Sequence, residues 1–232
     1  MPQNEAAVDC NYLIEKYENV FSLRNNDFFE LLGMDFYLQE FLFFPQEAYF
    51  FAKINASDEE KAKEIGIVSS LVYLSTKIHF LLNNEDKENF AAKVQFPILL
   101  GDLLYGKVIE ILSSGSCSAY ISDYLIYLQR LNAETVDYFA KKNAIEDVWQ
   151  GRYAELAVLT ARLVGANDLS SAYKLGEKFG TGSFYDDLFA SGKEIVGEHA
   201  ELFAKAFRLN SDPCNIITST ADLLQKIKRE IS

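Results

Sequence analysis

Histidine, cysteine, proline and long apolar runs are all scarce in this chain. Two histidines and three cysteines stand among 232 residues, and Cys10, Cys117 and Cys214 are far apart with no CxxC spacing. No zinc centre can be assembled from close sequence neighbours in such a set, and an odd, scattered group of thiols indicates a reducing, cytoplasmic setting. No uninterrupted apolar run approaches the roughly 20 residues that a membrane span requires, so no transmembrane segment is expected. The opening "MPQNEAAVDC" has neither the basic nor the apolar part of a secretory signal. Positive charge is also in deficit: 34 acidic residues face 22 basic ones, a formal net charge of −12. That field repels phosphate backbones and anionic membranes, which excludes a nucleic-acid binder with an extended basic footprint.

What remains is helical. Strand-like alternation is scarce and no hairpin dipeptide pair occurs. "SDEEKAKEIGIVSSLVYLSTKIHFLL" opens with Ser57 and Glu60 in capping-box spacing and then runs without proline to Leu82. Two apolar stripes coexist on it: Ile65, Val68 and Val72, and Ile67, Leu71, Leu74, Ile78 and Leu81. A helix apolar around most of its circumference is buried, which places this one at the centre of the fold. A second such helix is expected over Glu88–Leu112, kinked or interrupted at Pro97, followed by a loop at "SSGSCS". Further helices are expected at about 118–130, 133–163, 169–190, 193–209 and 216–231. The stretch Asn26–Ile54 is dense in aromatics and is punctuated only by Gly33 and Pro45, a composition that suits core or interface. No repeat period or dividing linker appears, so residues 1–232 read as one all-α domain.

Two segments carry acidic residues inside apolar helices, where a carboxylate is costly unless a metal or a partner compensates it. They are "PILLGDLLYGKVIEIL", with Gly101–Asp102, and "LGEKFGTGSFYDDLFASGK", with Asp186–Asp187. With the central helix before them, their order resembles the trans-prenyl diphosphate synthase (polyprenyl synthetase) family, over about Ala62 to Ala190. The resemblance implies an isoprenoid synthase-type helical bundle. In that family a histidine precedes a DDxxD motif on the central helix, a basic pair grips diphosphate, a Gly-Asp pair opens a helix, a Lys-Thr pair follows, and QxxDDxxD closes the set. Carboxylates one turn apart share a helix face, and two such faces hold Mg²⁺ against an allylic diphosphate.

On that comparison His79 is present, but the first aspartate positions fall on Phe80, Leu81 and Asn84. Glu85 and Asp86 lie beyond them, and "NNEDKEN" reads as a solvated connection. The second motif is incomplete in either register. With the pair on Asp186–Asp187, the third aspartate is Ala190 and the glutamine Ser183; with the pair on Asp187–Leu188, the third position is Ser191. Asp186 and Asp187 are the candidate catalytic and metal residues, with a helix-end or interface carboxylate pair as the plain alternative. Arg152, at the Lys-Thr position, is the candidate substrate residue. Asp102 is expected to be structural, a buried carboxylate hydrogen-bonded to a neighbouring helix, and His79 a satisfied core histidine. The glycines of "GEKFGTG" suit close helix packing better than a phosphate loop.

Three functions follow as expectations. The first is a non-catalytic subunit of a heteromeric synthase, similar to component I of heptaprenyl diphosphate synthase: a pseudoenzyme in isoprenoid biosynthesis, inactive alone, with no required cofactor. The resemblance implies a catalytic synthase chain as partner, in a hetero-oligomer or a homodimer, and an interface around Leu71–Leu82 and Leu99–Ile111. The second is a divergent Mg²⁺-dependent prenyltransferase or terpenoid synthase, a transferase that needs Glu85, Asp86, Glu177, Lys178 and Arg152 to converge with Asp186 and Asp187. The third is an isoprenoid- or lipid-binding module with no chemistry.

Overall fold

The computed structural model describes residues 38–80, 90–114, 117–141, 145–180 and 191–207. Their helices, in chain order, are α1 (Leu38–Ile54), α2 (Glu59–Phe80), α3 (Phe90–Ser114), α4 (Ile121–Lys141), α5 (Ile145–Leu163), α6 (Leu169–Gly180) and α7 (Ala200–Ala206). Residues 191–196 are also helical, and single 3₁₀ turns stand at Ser118–Tyr120 and Gly197–His199. No strand occurs among the described residues; the chain is all-α, as the sequence indicates. The expected helix over 216–231 lies outside the described residues.

Boundaries depart from the sequence reading in several places, among them the helix expected over 193–209, which the 3₁₀ turn at Gly197–His199 interrupts. α2 is capped by Asp58, not Ser57: its Oδ1 accepts from the backbone N–H groups of Glu60 (3.0 Å) and Lys61 (3.2 Å), which places the cap one residue later. Pro45 does not punctuate but lies inside α1. Pro97 does not interrupt α3, which runs on to Ser114. The break expected near 131–132 is absent; α4 continues to Lys141 because Asn132 and Ala133 sit on its exposed side, where a polar residue interrupts no packing.

α2 is the centre. All of its residues from Ile65 to Thr76 are buried, between α1 on one side and α3 on another, with α5 also in contact. The approach of α1 is permitted by Gly66, where an added Cβ would lie 2.6 Å from Pro45 Cα. α1 is likewise buried without a break from Phe43 to Ala52, whereas α3 and α4 are one-sided. α3 buries Gly101, Leu104, Val108 and Leu112, and α4 buries Tyr124, Tyr127, Leu128 and Leu131. These are the three- and four-residue steps of a helix with one apolar face.

α5 and α6 form a tight pair. Asp168 caps α6, its Oδ1 accepting from Ser171 N–H at 3.0 Å. The Ser171 hydroxyl, 2.5 Å from the second carboxylate oxygen, is the main reason the Asp168 carboxyl is held below its ordinary range. Farther along, Gly176 sits against α5: a Cβ there would meet Ala157 Cβ at 2.6 Å and both Ala154 Cα and the Tyr153 carbonyl at 2.7 Å. For this glycine the close-packing reading is correct. Gly176→Val is expected to lower stability by about 1–3 kcal/mol, because two of the three clashes are with backbone that cannot rotate away. A urea unfolding midpoint equal to that of the wild type would show that the two helices are not held this close.

Candidate functional site

Among the described residues, those singled out by sequence lie on α2, α3, α5 and α6, and Asp102 and Arg152 depart from expectation. Where α2 meets α3, Ser75 Oγ donates to the Gly101 carbonyl at 2.8 Å. Gly101 is buried while Asp102 is exposed. Asp102 is therefore not the buried carboxylate that was expected; of the pair, glycine is the member that faces the core, and the contact runs through its backbone. His79 and Phe80 end α2, with side chains outside the described residues. Leu81, Asn84, Glu85, Asp86, Ser183, Asp186, Asp187, Leu188 and Ala190 also lie outside them. Glu177 and Lys178 are exposed on α6.

Arg152 is the clearest correction. Its side chain is 13% exposed and makes ion pairs with Glu134 of α4 and, at 2.8 Å, with Glu155 of α5. Its carbonyl accepts from the Tyr127 hydroxyl at 3.1 Å. Glu155 in turn pairs with Arg130 at 3.1 Å, and Arg162 pairs with Asp123 at 2.7 Å. In the three pairs between α4 and α5 one residue number rises as the other falls, so these contacts clip two antiparallel helices in register. An arginine gripped by two carboxylates is not presented to a diphosphate, and Arg152 is a structural cation here.

Behind it the interior is closed by aromatic rings. Phe179 of α6 is 7% exposed. It stacks on Phe43 with centroids 4.3 Å apart and lies within 5.6 Å of Phe44, Tyr73 and Tyr153. This layer joins α1, α2, α5 and α6, with ring separations and tilts typical of aromatic packing.

One group in this core was missed by sequence reasoning. Glu47, on α1, is fully buried, and neither carboxyl oxygen has a hydrogen-bond partner among the described residues. Burial pushes its carboxyl well above the ordinary 4.5. Polar groups of the same core are better served. Thr160 Oγ1 lies 2.7 Å from Ser69 Oγ, which lies 2.8 Å from the Tyr124 hydroxyl, and Tyr124 donates to the Ile65 carbonyl at 3.2 Å. Burial raises the Tyr124 phenol strongly, the Ser69 hydrogen bond opposes this, and charge on Cys117, Asp123 and Glu47 adds to the rise. The signal for Glu47 was present in "FFPQEAYFF", where a charged residue interrupts an aromatic run.

Among the described residues no group of three or more His, Cys, Asp or Glu is placed to hold a metal ion. Those that the resemblance assigns to Mg²⁺, Asp186 and Asp187, lie outside the described residues. No described helix is long and apolar enough to cross a membrane. No family model matches the sequence, and no curated protein does. Among solved structures the chain is similar to a mint deletion mutant of heterotetrameric geranyl pyrophosphate synthase in complex with ligands, at 15% identity and a TM-score of 0.49, over 84% of this chain and 96% of that one. It is also similar to an apo FPP/GFPP synthase from Zymomonas mobilis, at 19% identity and a TM-score of 0.43, over 98% and 100%. At these values neither likeness carries an argument about what this chain does.

Proposed function

We propose that the chain is a non-catalytic subunit of a heteromeric polyprenyl diphosphate synthase. It docks through the outer surface of α3 and α4 on a catalytic chain and shapes the cavity in which that partner's product grows. The supporting observation is on α3. Leu99 is 66% exposed and Leu103, one turn later, is exposed with it, inside the 99–111 segment that the resemblance marks as interface. α4 adds Leu125, Ile126 and Val136, the last two 59% and 68% exposed. Exposed apolar side chains grouped on helices rather than scattered singly are the usual mark of a covered surface. Of the other expected stretch, 71–82, Leu71 to Thr76 are buried within the chain itself and are not available to a partner, Lys77 is half-buried, and the side chains from 78 on lie outside the described residues.

The reading also accounts for Arg152, which has exchanged any hold on diphosphate for Glu134 and Glu155. The test is a prenyltransfer assay with Mg²⁺, isopentenyl diphosphate and radiolabelled farnesyl diphosphate, on the chain alone and then with the catalytic synthase from the same cell. The expected result is silence alone and activity, or a longer product, only in the mixture. Leu99→Glu combined with Leu103→Glu is expected to abolish the effect of mixing while leaving the fold intact, since neither side chain is buried. Turnover by the chain alone, lost in Asp187→Ala, overturns the reading in favour of an enzyme.

A further inference from the structure

We propose that the Glu47 carboxyl, as the neutral acid, anchors an internal hydration site that holds one ordered water molecule in the core shared by α1 and α4. The argument begins with the missing partners. A side chain with no exposed surface and two orphaned oxygens is an exception among buried polar groups, which are nearly always hydrogen-bonded to protein or to ordered water. The surroundings then decide the form of the group. Tyr124 is the titratable side chain that senses it from α4. The buried polar residues contributed by α2 and α5 are Ser69, Ser70, Ser75, Thr76 and Thr160, none of which titrates. The Arg152 guanidinium, a largely buried cation, is already held by Glu134 and Glu155, and burial is what shifts Glu47, with no cation acting on it. An ionised Glu47 has no countercharge there, and the cost of burying a bare carboxylate favours the acid.

The acid form supplies one O–H donor and a carbonyl acceptor, so a single water can both accept from it and donate to it. A water is retained in a protein interior when two to four polar groups reach it. The hydroxyls of Tyr124, Ser69 and Thr160 already form a connected polar patch in this core. A cation is the poorer fit, because it requires the ionised form and several oxygens aimed at one point.

Water relaxation dispersion on the intact chain counts long-lived internal waters and tests the site directly. The wild type and Glu47→Gln are expected to give the same count, and Glu47→Met one fewer. An unchanged count in the Met variant overturns the proposal. Infrared difference spectra of wild type against Glu47→Gln keep the test decisive if the Met variant does not fold. A protonated-carboxyl carbonyl band at neutral pH, shifted as hydrogen-bonded acids are, supports the site. The same band at the position of a free acid overturns it. Absence of the band, with potassium chloride stabilising the wild type over the Gln variant, replaces the water with a cation and also overturns it.

Discussion

Phe179→Ala is expected to cost about 3–5 kcal/mol of folding stability, the range for truncating a large aromatic in a packed core. The ring is nearly inaccessible and touches four others drawn from α1, α2 and α5. Its removal leaves a gap that no single neighbour can fill, because Phe43 and Tyr73 are themselves held by further contacts. Phe43 packs against Phe44 and Phe207, and Tyr73 against Tyr153. Denaturant unfolding measures the loss. A second readout comes from the gap itself: an apolar internal cavity of this kind stays dry and takes up xenon or benzene, so either ligand should restore part of the variant's thermal stability and leave the wild type unchanged. A loss below about 1 kcal/mol would mean that the aromatic layer is not the keystone of the bundle.

Glu47→Gln is expected to change how stability depends on pH rather than merely its value. The folded carboxyl is raised well above its ordinary 4.5, so above that pH the unfolded chain releases the proton while the folded chain keeps it. The folded state then binds more protons, and wild-type stability falls as pH rises. The contribution is fully present below the unfolded pKa and is lost progressively up to the folded one. The limiting slope is about 1.4 kcal/mol per pH unit. Glutamine does not titrate, so the difference between variant and wild type should grow in favour of glutamine as pH rises above the ordinary carboxylate range and level off only once the folded carboxyl ionises. Urea unfolding of both proteins across that range measures it, and parallel curves would show that Glu47 ionises freely in the folded chain.

The parts of the fold that sequence made legible are those governed by local pattern. α2 could be placed at the centre because its apolar positions cover most of a helical circumference, and Ile65 to Thr76 are indeed buried. Gly176 was legible as a packing glycine because the phosphate-loop alternative had the wrong spacing. What stayed hidden depends on partners distant in the chain. Asp102 and Gly101 are adjacent, and only the rotation of α3 against Ser75 decides which of them faces inward. Arg152 offers a cation at a plausible position, and nothing nearby in sequence announces Glu134, on α4, as its partner. The expected end of α4 near 130 falls short because Asn132 lies on an exposed helix face, where asparagine costs only a fraction of a kcal/mol relative to better helix formers, on the order of 0.7 kcal/mol at most. Glu47 stays hidden for the opposite reason: the aromatics around it are so dense that the whole stretch reads as core or interface.

The grip on Arg152 also bears on how such a chain could change. Glu134 and Glu155 hold the guanidinium from two different helices, and Glu155 is itself tethered by Arg130. Losing either glutamate alone leaves the arginine bound to the other, so no single substitution at those two positions releases it. Freeing it takes coordinated changes at Glu134 and Glu155. Each step on the way also loosens the clip between α4 and α5, so the intermediate would carry a cost in folding before it gained anything in binding. The neighbourhood of Arg152 is therefore easy to keep and hard to leave by single steps.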